Sequence, residues 1–197
     1  MTKVIFTPQV HAHVGRTGAP ERRNPAKSKW RISRRRPVTF DVRCLGRRTI
    51  SIPPLSSAGD LPVGVHRSTL AELSAAFGCA SRERQILFER IARIYRIAAA
   101  TRHLARFVVF GSFVSQKPVP NDVDIFMVFD DAFDASICDH ETMMLLDHAT
   151  ADTYFGASVF WLRRPAAFGG EQATIEFWQT KRDGSRRGIV EIAETKE

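Results

Sequence analysis

Phe107-Val108-Val109-Phe110 runs straight into Gly111-Ser112, and nine residues later the chain reads Asp122-Val-Asp124-Ile-Phe-Met-Val-Phe129. A short, wholly apolar run bounded by a glycine suits a strand buried on both faces. Gly111 then permits a tight turn at the sheet edge and a close backbone approach to a phosphate, with the Ser112 hydroxyl as a further donor. On a strand, Asp122 and Asp124 are two apart and project from the same face, while Val123, Ile125 and Met127 point the other way into a core. Two carboxylates side by side repel each other unless a cation lies between them, and hard oxygen ligands favour Mg2+ or Mn2+. A metal held there would bridge phosphate oxygens and stabilise charge developing on a leaving group.

The flanking sequence predicts the other elements that such a sheet needs. Thr69-Leu-Ala-Glu72 has capping-box spacing and opens a short helix ending near Gly78. Ser81 is a good N-cap for a longer helix reaching about His103. Its apolar stripe is Phe88, Ile91, Tyr95 and Ala98, widened by Leu87 and Ile94, with Arg82, Glu89, Arg93 and Arg96 mostly opposite. Residues 107–110, 122–129 and 157–162 read as strands, and 136–151 as a helix. Residues 174–178 and 188–192 are weaker strand candidates, joined through a turn at Asp183-Gly184. The expected class is therefore α/β (α+β), a mixed sheet flanked by helices. Residues 61–197 form the expected domain. Residues 38–60 read as a linker with short strands, broken at Pro53-Pro54. Residues 1–37 contain Pro20, Pro25 and Pro37 and no apolar periodicity, and read as a basic, disordered extension.

An apolar strand, Gly-Ser, about ten residues and Asp-x-Asp on a second strand resemble, in that order, the signature of the nucleotidyltransferase superfamily. DNA polymerase beta and many small bacterial transferases share that fold. The match is tight over 107–129 and looser over 61–192, and Leu61-Pro-Val-Gly-Val-His66 looks like the same segment of small uncharacterised bacterial members. The resemblance implies a nucleotidyltransferase fold and metal-dependent transfer of a nucleoside monophosphate from a nucleoside triphosphate to an acceptor, with release of pyrophosphate. It implies that Gly111 and Ser112 cradle the β- and γ-phosphates and that Asp122 and Asp124 hold Mg2+ or Mn2+. Two readings remain for Lys117: a phosphate contact, or a solvated loop lysine. The acceptor is open, with RNA and protein both considered. Members that catalyse usually carry a third carboxylate on a later strand. In Phe155-Gly-Ala-Ser158-Val-Phe-Trp161 the expected position holds Ser158, a poor metal ligand that cannot act as a general base. Asp152, Glu176 and Glu191 are the candidate substitutes, each readable as a plain surface acid. This departure keeps a second reading open: a weak or inactive nucleotidyltransferase-fold binding module, regulatory or toxin–antitoxin-like. A third is a nucleic-acid-binding protein acting through its basic extension.

The net charge of +8 is confined to one end. Residues 1–50 hold thirteen Lys and Arg against two acids, and the rest of the chain sixteen against nineteen. Nucleic-acid contact is therefore expected, if anywhere, through residues 16–48 and by charge alone; a solubilising tail is the alternative. Cys44, Cys79 and Cys138 are odd in number and widely spaced, which argues for a reducing compartment and against a disulfide framework or zinc ribbon. No apolar run approaches the roughly 20 residues that span a membrane, and no secretory apolar region follows the start. A cytoplasmic location without a membrane partner is expected. His11-Ala-His13 is too short for a metal site, and His140 and His148, eight apart on a helix, would be separated by about 12 Å. His66 and His103 read as packing or capping residues, and Trp161 and Trp178 as core or ligand-stacking residues. No Ser-His-Asp, Cys-His or Walker-type arrangement is visible.

Overall fold

The apolar run at 107–110 becomes a central strand covered on both faces. In the computed structural model, which describes residues 51–193, five strands form one mixed sheet. They are β1 (Val65–Ser68), β2 (Leu104–Phe110), β3 (Val123–Phe129), β4 (Ala157–Arg163) and β5 (Ile189–Ile192), in the order β1-β5-β2-β3-β4. The outer pairs β1–β5 and β3–β4 are parallel, and the inner pairs β5–β2 and β2–β3 antiparallel. The extension 1–37, the stretch 16–48, the strand candidates of 38–50, His11, His13 and Cys44 lie outside the described residues.

Alternation along the strands sorts their side chains onto two faces. Phe107, Val109, Ile125 and Met127 meet Leu87, Ile91, Ile94 and Ala98 of α2 (Arg82–Ala100), after α1 (Leu70–Leu73), and Leu145 of α3 (His140–Leu146). Val108, Phe110, Phe126, Val128 and Ile189 meet Ile175 and Trp178, which belong to or follow α5 (Glu171–Phe177). The short α4 (His148–Thr150) leads into a π turn at Ala151–Phe155 before β4. The class is thus mixed α+β, a five-stranded mixed sheet flanked by helices.

Local signals mostly act as the sequence suggests. Thr69 and Glu72 close the capping box reciprocally, the Thr69 N–H donating to Glu72 Oε2 at 2.9 Å. The Ser81 hydroxyl accepts from the Arg84 N–H at 3.2 Å. The buried stripe of α2 is Leu87, Ile91, Ile94 and Ala98, with Phe88 and Tyr95 at its margin. The helix stops at Ala100 rather than near His103, because Arg102 turns the chain with φ +62°.

Four expectations need correction. Residues 174–178 are helical, because Ile175 and Trp178 lie one helical turn apart and together cover the aromatic side chains of the sheet. The helix expected over 136–151 is broken at Asp147, whose extended backbone ends α3 and whose carboxylate caps α4 through the Thr150 N–H at 2.8 Å. β1 was not foreseen; its sequence Val-His-Arg-Ser has little strand character, and β5 supplies its partner. The Pro/Gly-rich approach to it is not a free tether, since Ile52 and Leu61 are buried in the core. Among the described residues no helix is long and apolar enough to cross a membrane, and Cys79 and Cys138 are free thiols.

Candidate active site

Antiparallel pairing of β2 with β3 sets Phe110 opposite Asp124, so the last residue of one strand faces the acid at the start of the other. The chain then turns at Gly111 with φ +83°. A Cβ added to Gly111 would come within 1.8 Å of Asp124 Oδ2. Only glycine leaves room for the carboxylate to lie over the turn, which makes one unit of two features that the sequence presents thirteen residues apart. Asp122 stands one residue before β3, and its charge acts on Asp124. No hydrogen-bond donor among the described residues engages the Asp124 carboxylate. Burial, reinforced by the Asp122 charge and opposed by Arg187 and Arg182, pushes its pKa up to about 6. A divalent cation between the two carboxylates would relieve both effects. Mg2+ is commonly held by one or two carboxylates, with water and phosphate oxygens completing its shell. The residues present therefore fit a metal that arrives with a phosphate ligand. No group of three or more His, Cys, Asp or Glu among the described residues could hold a metal by itself.

Parallel pairing of β3 with β4 sets Ser158 directly beside Asp124. Serine thus occupies the neighbouring-strand position where a third acid was expected, and the three proposed substitutes lie elsewhere. Asp152 and Glu176 are exposed, Glu176 accepting from Gln172 Nε2 at 2.9 Å. Glu191 is 5% exposed and is no surface acid: it holds Arg106 in a two-pronged ion pair, with Nη2 donating to Oε2 at 2.8 Å. It shares the Asp124 face but pairs with Val108, towards the other end of the sheet.

The loop after Gly111 is held by a residue that sequence reasoning missed. Arg84 is 4% exposed and has no acidic partner among the described residues. Its Nη1 donates to the carbonyls of Phe77 (3.1 Å) and Phe113 (2.9 Å), and its Nη2 to those of Ser115 (2.8 Å) and Lys117. Burial draws its pKa down from the ordinary guanidinium value. Phe113 and Val114 are buried, and the Ser115 hydroxyl donates to the Ser112 carbonyl at 2.7 Å, so the turn is anchored on both sides. The Lys117 backbone is part of this anchor, and its side chain stands exposed. A lone arginine at the start of a helix carries no local sequence signal for such a role.

Arg182 and Arg187 were also missed. Both act on Asp124 from the turn between α5 and β5, some sixty residues further along the chain. The remaining candidates are structural. His66 Nε2 contacts the Pro62 carbonyl at 2.7 Å, and His103 Nδ1 pairs with Asp130 at 3.0 Å. His148 lies near Phe160, with ring centroids 4.9 Å apart, and its Nδ1 contacts the Val159 carbonyl at 3.0 Å. Trp161 donates to the Leu146 carbonyl at 2.8 Å, while Trp178 packs on Phe110, Phe126 and Phe160 with centroids 4.7–5.1 Å apart. Concavities lined by Cys79 and Glu89, and by His103 and Asp139, include neither aspartate.

Fold and site together define a mixed α+β domain with Asp124 lodged over a glycine turn at the end of its central strands and Asp122 two residues before it. The chain belongs to the Family of unknown function (DUF6932), whose model covers residues 53–193, a span that includes all five strands, the Gly111–Ser112 turn and both aspartates. No curated protein and no solved structure matches the chain.

Proposed function

We propose that this domain is a nucleotidyltransferase-fold protein that binds a nucleoside triphosphate with Mg2+ or Mn2+ and moves its nucleoside monophosphate to an acceptor. The observation that carries this reading is the lodging of Asp124 against Gly111, which would bring a cation on the carboxylates next to a phosphate at the turn. Asp122 and Asp124 would hold the metal, and the Gly111–Ser112 turn would take the β- and γ-phosphates. When bound, the metal supplies charge neutralisation for the triphosphate and the departing pyrophosphate. Arg84 keeps the turn in shape by holding four carbonyls, and the Phe110–Phe126–Phe160–Trp178 cluster gives the carboxylates a rigid, apolar floor. Lys117, on the exposed side of the same loop, remains a candidate phosphate contact. The direct test is calorimetric titration of nucleoside triphosphates with Mg2+ and with EDTA. Binding that requires the metal and is abolished in Asp124→Asn supports the reading. Failure of every nucleotide to bind with metal removes it.

A second reading is favoured by Ser158. Its place beside Asp124 leaves the acceptor hydroxyl without a carboxylate to help deprotonate it, so nucleotide binding would survive better than transfer. A binding module of regulatory type follows if triphosphate binds and no pyrophosphate is released with RNA or protein acceptors.

A further inference from the structure

The turn between α5 and β5 reads Lys181-Arg182-Asp183-Gly184-Ser185-Arg186-Arg187. It is closed by main-chain bonds, the Lys181 N–H donating to the Ser185 carbonyl at 2.7 Å and the Arg187 N–H to the Gln179 carbonyl at 2.8 Å. Thr180 and Arg186 form an antiparallel bridge, so Gln179 and Arg187 are the next pair along and stand opposite each other. Lys181 is committed to Asp60 at 2.9 Å. No carboxylate among the described residues pairs with Arg182 or Arg187. Gln179 is 2% exposed and its Oε1 has no partner; the buried Nε of Arg187 has none either. Unsatisfied buried polar atoms are few in native proteins and call for an explanation.

The sheet register says where this pair lies. Val109 pairs with Val190 and Val108 with Glu191, so the chain enters β5 at the end of β2 that leads into Gly111–Ser112, and Arg187, two residues before β5, lies at that end of the sheet. By alternation Arg187 shares the face of Ile189, Val108 and Phe110, which is also the face of Asp124. Arg187 therefore lies on the β5 side of β2, and Asp124, which lodges against Gly111, on the β3 side. A guanidinium and a carboxylate pair at the same glycine turn complement a cation–polyphosphate complex. A guanidinium with an uncommitted N–H is also suited to forked bonding with phosphate oxygens.

We propose that Arg187, assisted by Arg182, is the side-chain anion site of this domain and receives the polyphosphate tail of a nucleoside triphosphate. The identity of the anion rests on the nucleotidyltransferase reading; the site itself does not need the metal.

The test uses the full chain, labelled with 15N-arginine, in EDTA, with inorganic tripolyphosphate as the probe. The Arg187 Nε–H resonance is assigned by its loss in Arg187→Gln, and Arg186→Gln serves as a neighbour of equal charge change on the opposite side of the turn. Local detection separates this site from any binding by the basic N-terminal stretch. Tripolyphosphate is expected to shift the Arg187 resonance saturably, and to do so equally well in Asp124→Asn. Arg187→Gln should weaken binding, read at the Gly111 amide, by about ten-fold or more, and Arg186→Gln by less than about two-fold, since a bond to a charged group is worth that difference. An Arg187 signal that stays still while tripolyphosphate shifts other arginines overturns the proposal, as do equal losses in the two variants. The two readings fail separately. If Arg187 responds to tripolyphosphate but no nucleotide binds with Mg2+, the anion site stands without the transferase. If Mg2+-dependent nucleotide binding persists unchanged in Arg187→Gln, the transferase reading stands without this site.

Discussion

Burial beside Asp122 disfavours the charged form of Asp124, and removing that charge should stabilise the protein. Its pKa rises from 3.8 to about 6, through burial first and the Asp122 charge second. At about 1.4 kcal/mol per unit, the charged form costs roughly 3 kcal/mol near neutral pH. The sign follows from linkage: because the folded-state value is raised, this contribution to stability is fully present below the unfolded value near 3.8 and lost as pH rises through about 6. Asp124→Asn keeps the shape over Gly111 and does not titrate. It should therefore melt about 6–12 °C above the unaltered protein at pH 8 in EDTA, at about 2–4 °C per kcal/mol for a domain of this size. The two should converge only as the pH falls below about 3.8. Thermal melts followed by circular dichroism across that range, in EDTA, read this difference, and other titrating groups cancel between the two proteins. Mg2+ with a nucleoside triphosphate should reverse the order by raising the melting temperature of the unaltered protein alone. A variant that melts at or below its parent at pH 8, or a gap that does not change with pH, would refute the account of Asp124.

Gly111→Ala should lower stability by roughly 2 kcal/mol or more, since it forces a side chain into left-handed backbone and against Asp124; metal-dependent nucleotide binding should vanish with it, and a wild-type melt and affinity would count against the cradle. Arg84→Met leaves four backbone carbonyls without their donors and should cost about 3 kcal/mol or more. Arg84→Lys should recover only part of that, because an ammonium cannot reproduce the planar fork, and full recovery in urea unfolding would speak against the clamp. Ser158→Asp places a third acid beside Asp124. It should lower the melting temperature in EDTA and raise pyrophosphate release with Mg2+, nucleotide and a competent acceptor by about ten-fold or more if the missing acid limits transfer. Unchanged release at undiminished nucleotide affinity would assign the limit elsewhere.

Much of the candidate site could be read along the chain because its parts are local. A strand puts residues two apart on one face, so Asp122 and Asp124 could be joined from spacing alone. A glycine after an apolar run marks a turn; Ser158 was singled out by the resemblance to the nucleotidyltransferase signature, and the β3–β4 register sets it beside Asp124. The Thr69–Glu72 capping box, the Ser81 cap and the α2 stripe were equally legible, each depending on neighbours within one or two turns of helix. Residues 174–178 were not: alternating Ile175 and Phe177 imitate a strand, and only the aromatic side chains of β2, β3 and β4 make a helix the better way to bury Ile175 and Trp178 together. β5, a weak candidate by composition, lies between β1 and β2 because both ladders pair with its backbone, which composition does not encode.

The sequence by itself therefore determined the local geometry of the acids and the turn, through strand periodicity and the conformational freedom of Gly111. Tertiary structure decided what surrounds them. Arg84 reaches the Gly111 loop from a helix some thirty residues earlier, and the charges of Arg182 and Arg187 act on Asp124 from a turn some sixty residues later. Glu191 is drawn away from the site by Arg106. Charges and hydrogen bonds act through distance in space, and the distance between these groups is set by sheet order and register rather than by their separation along the chain.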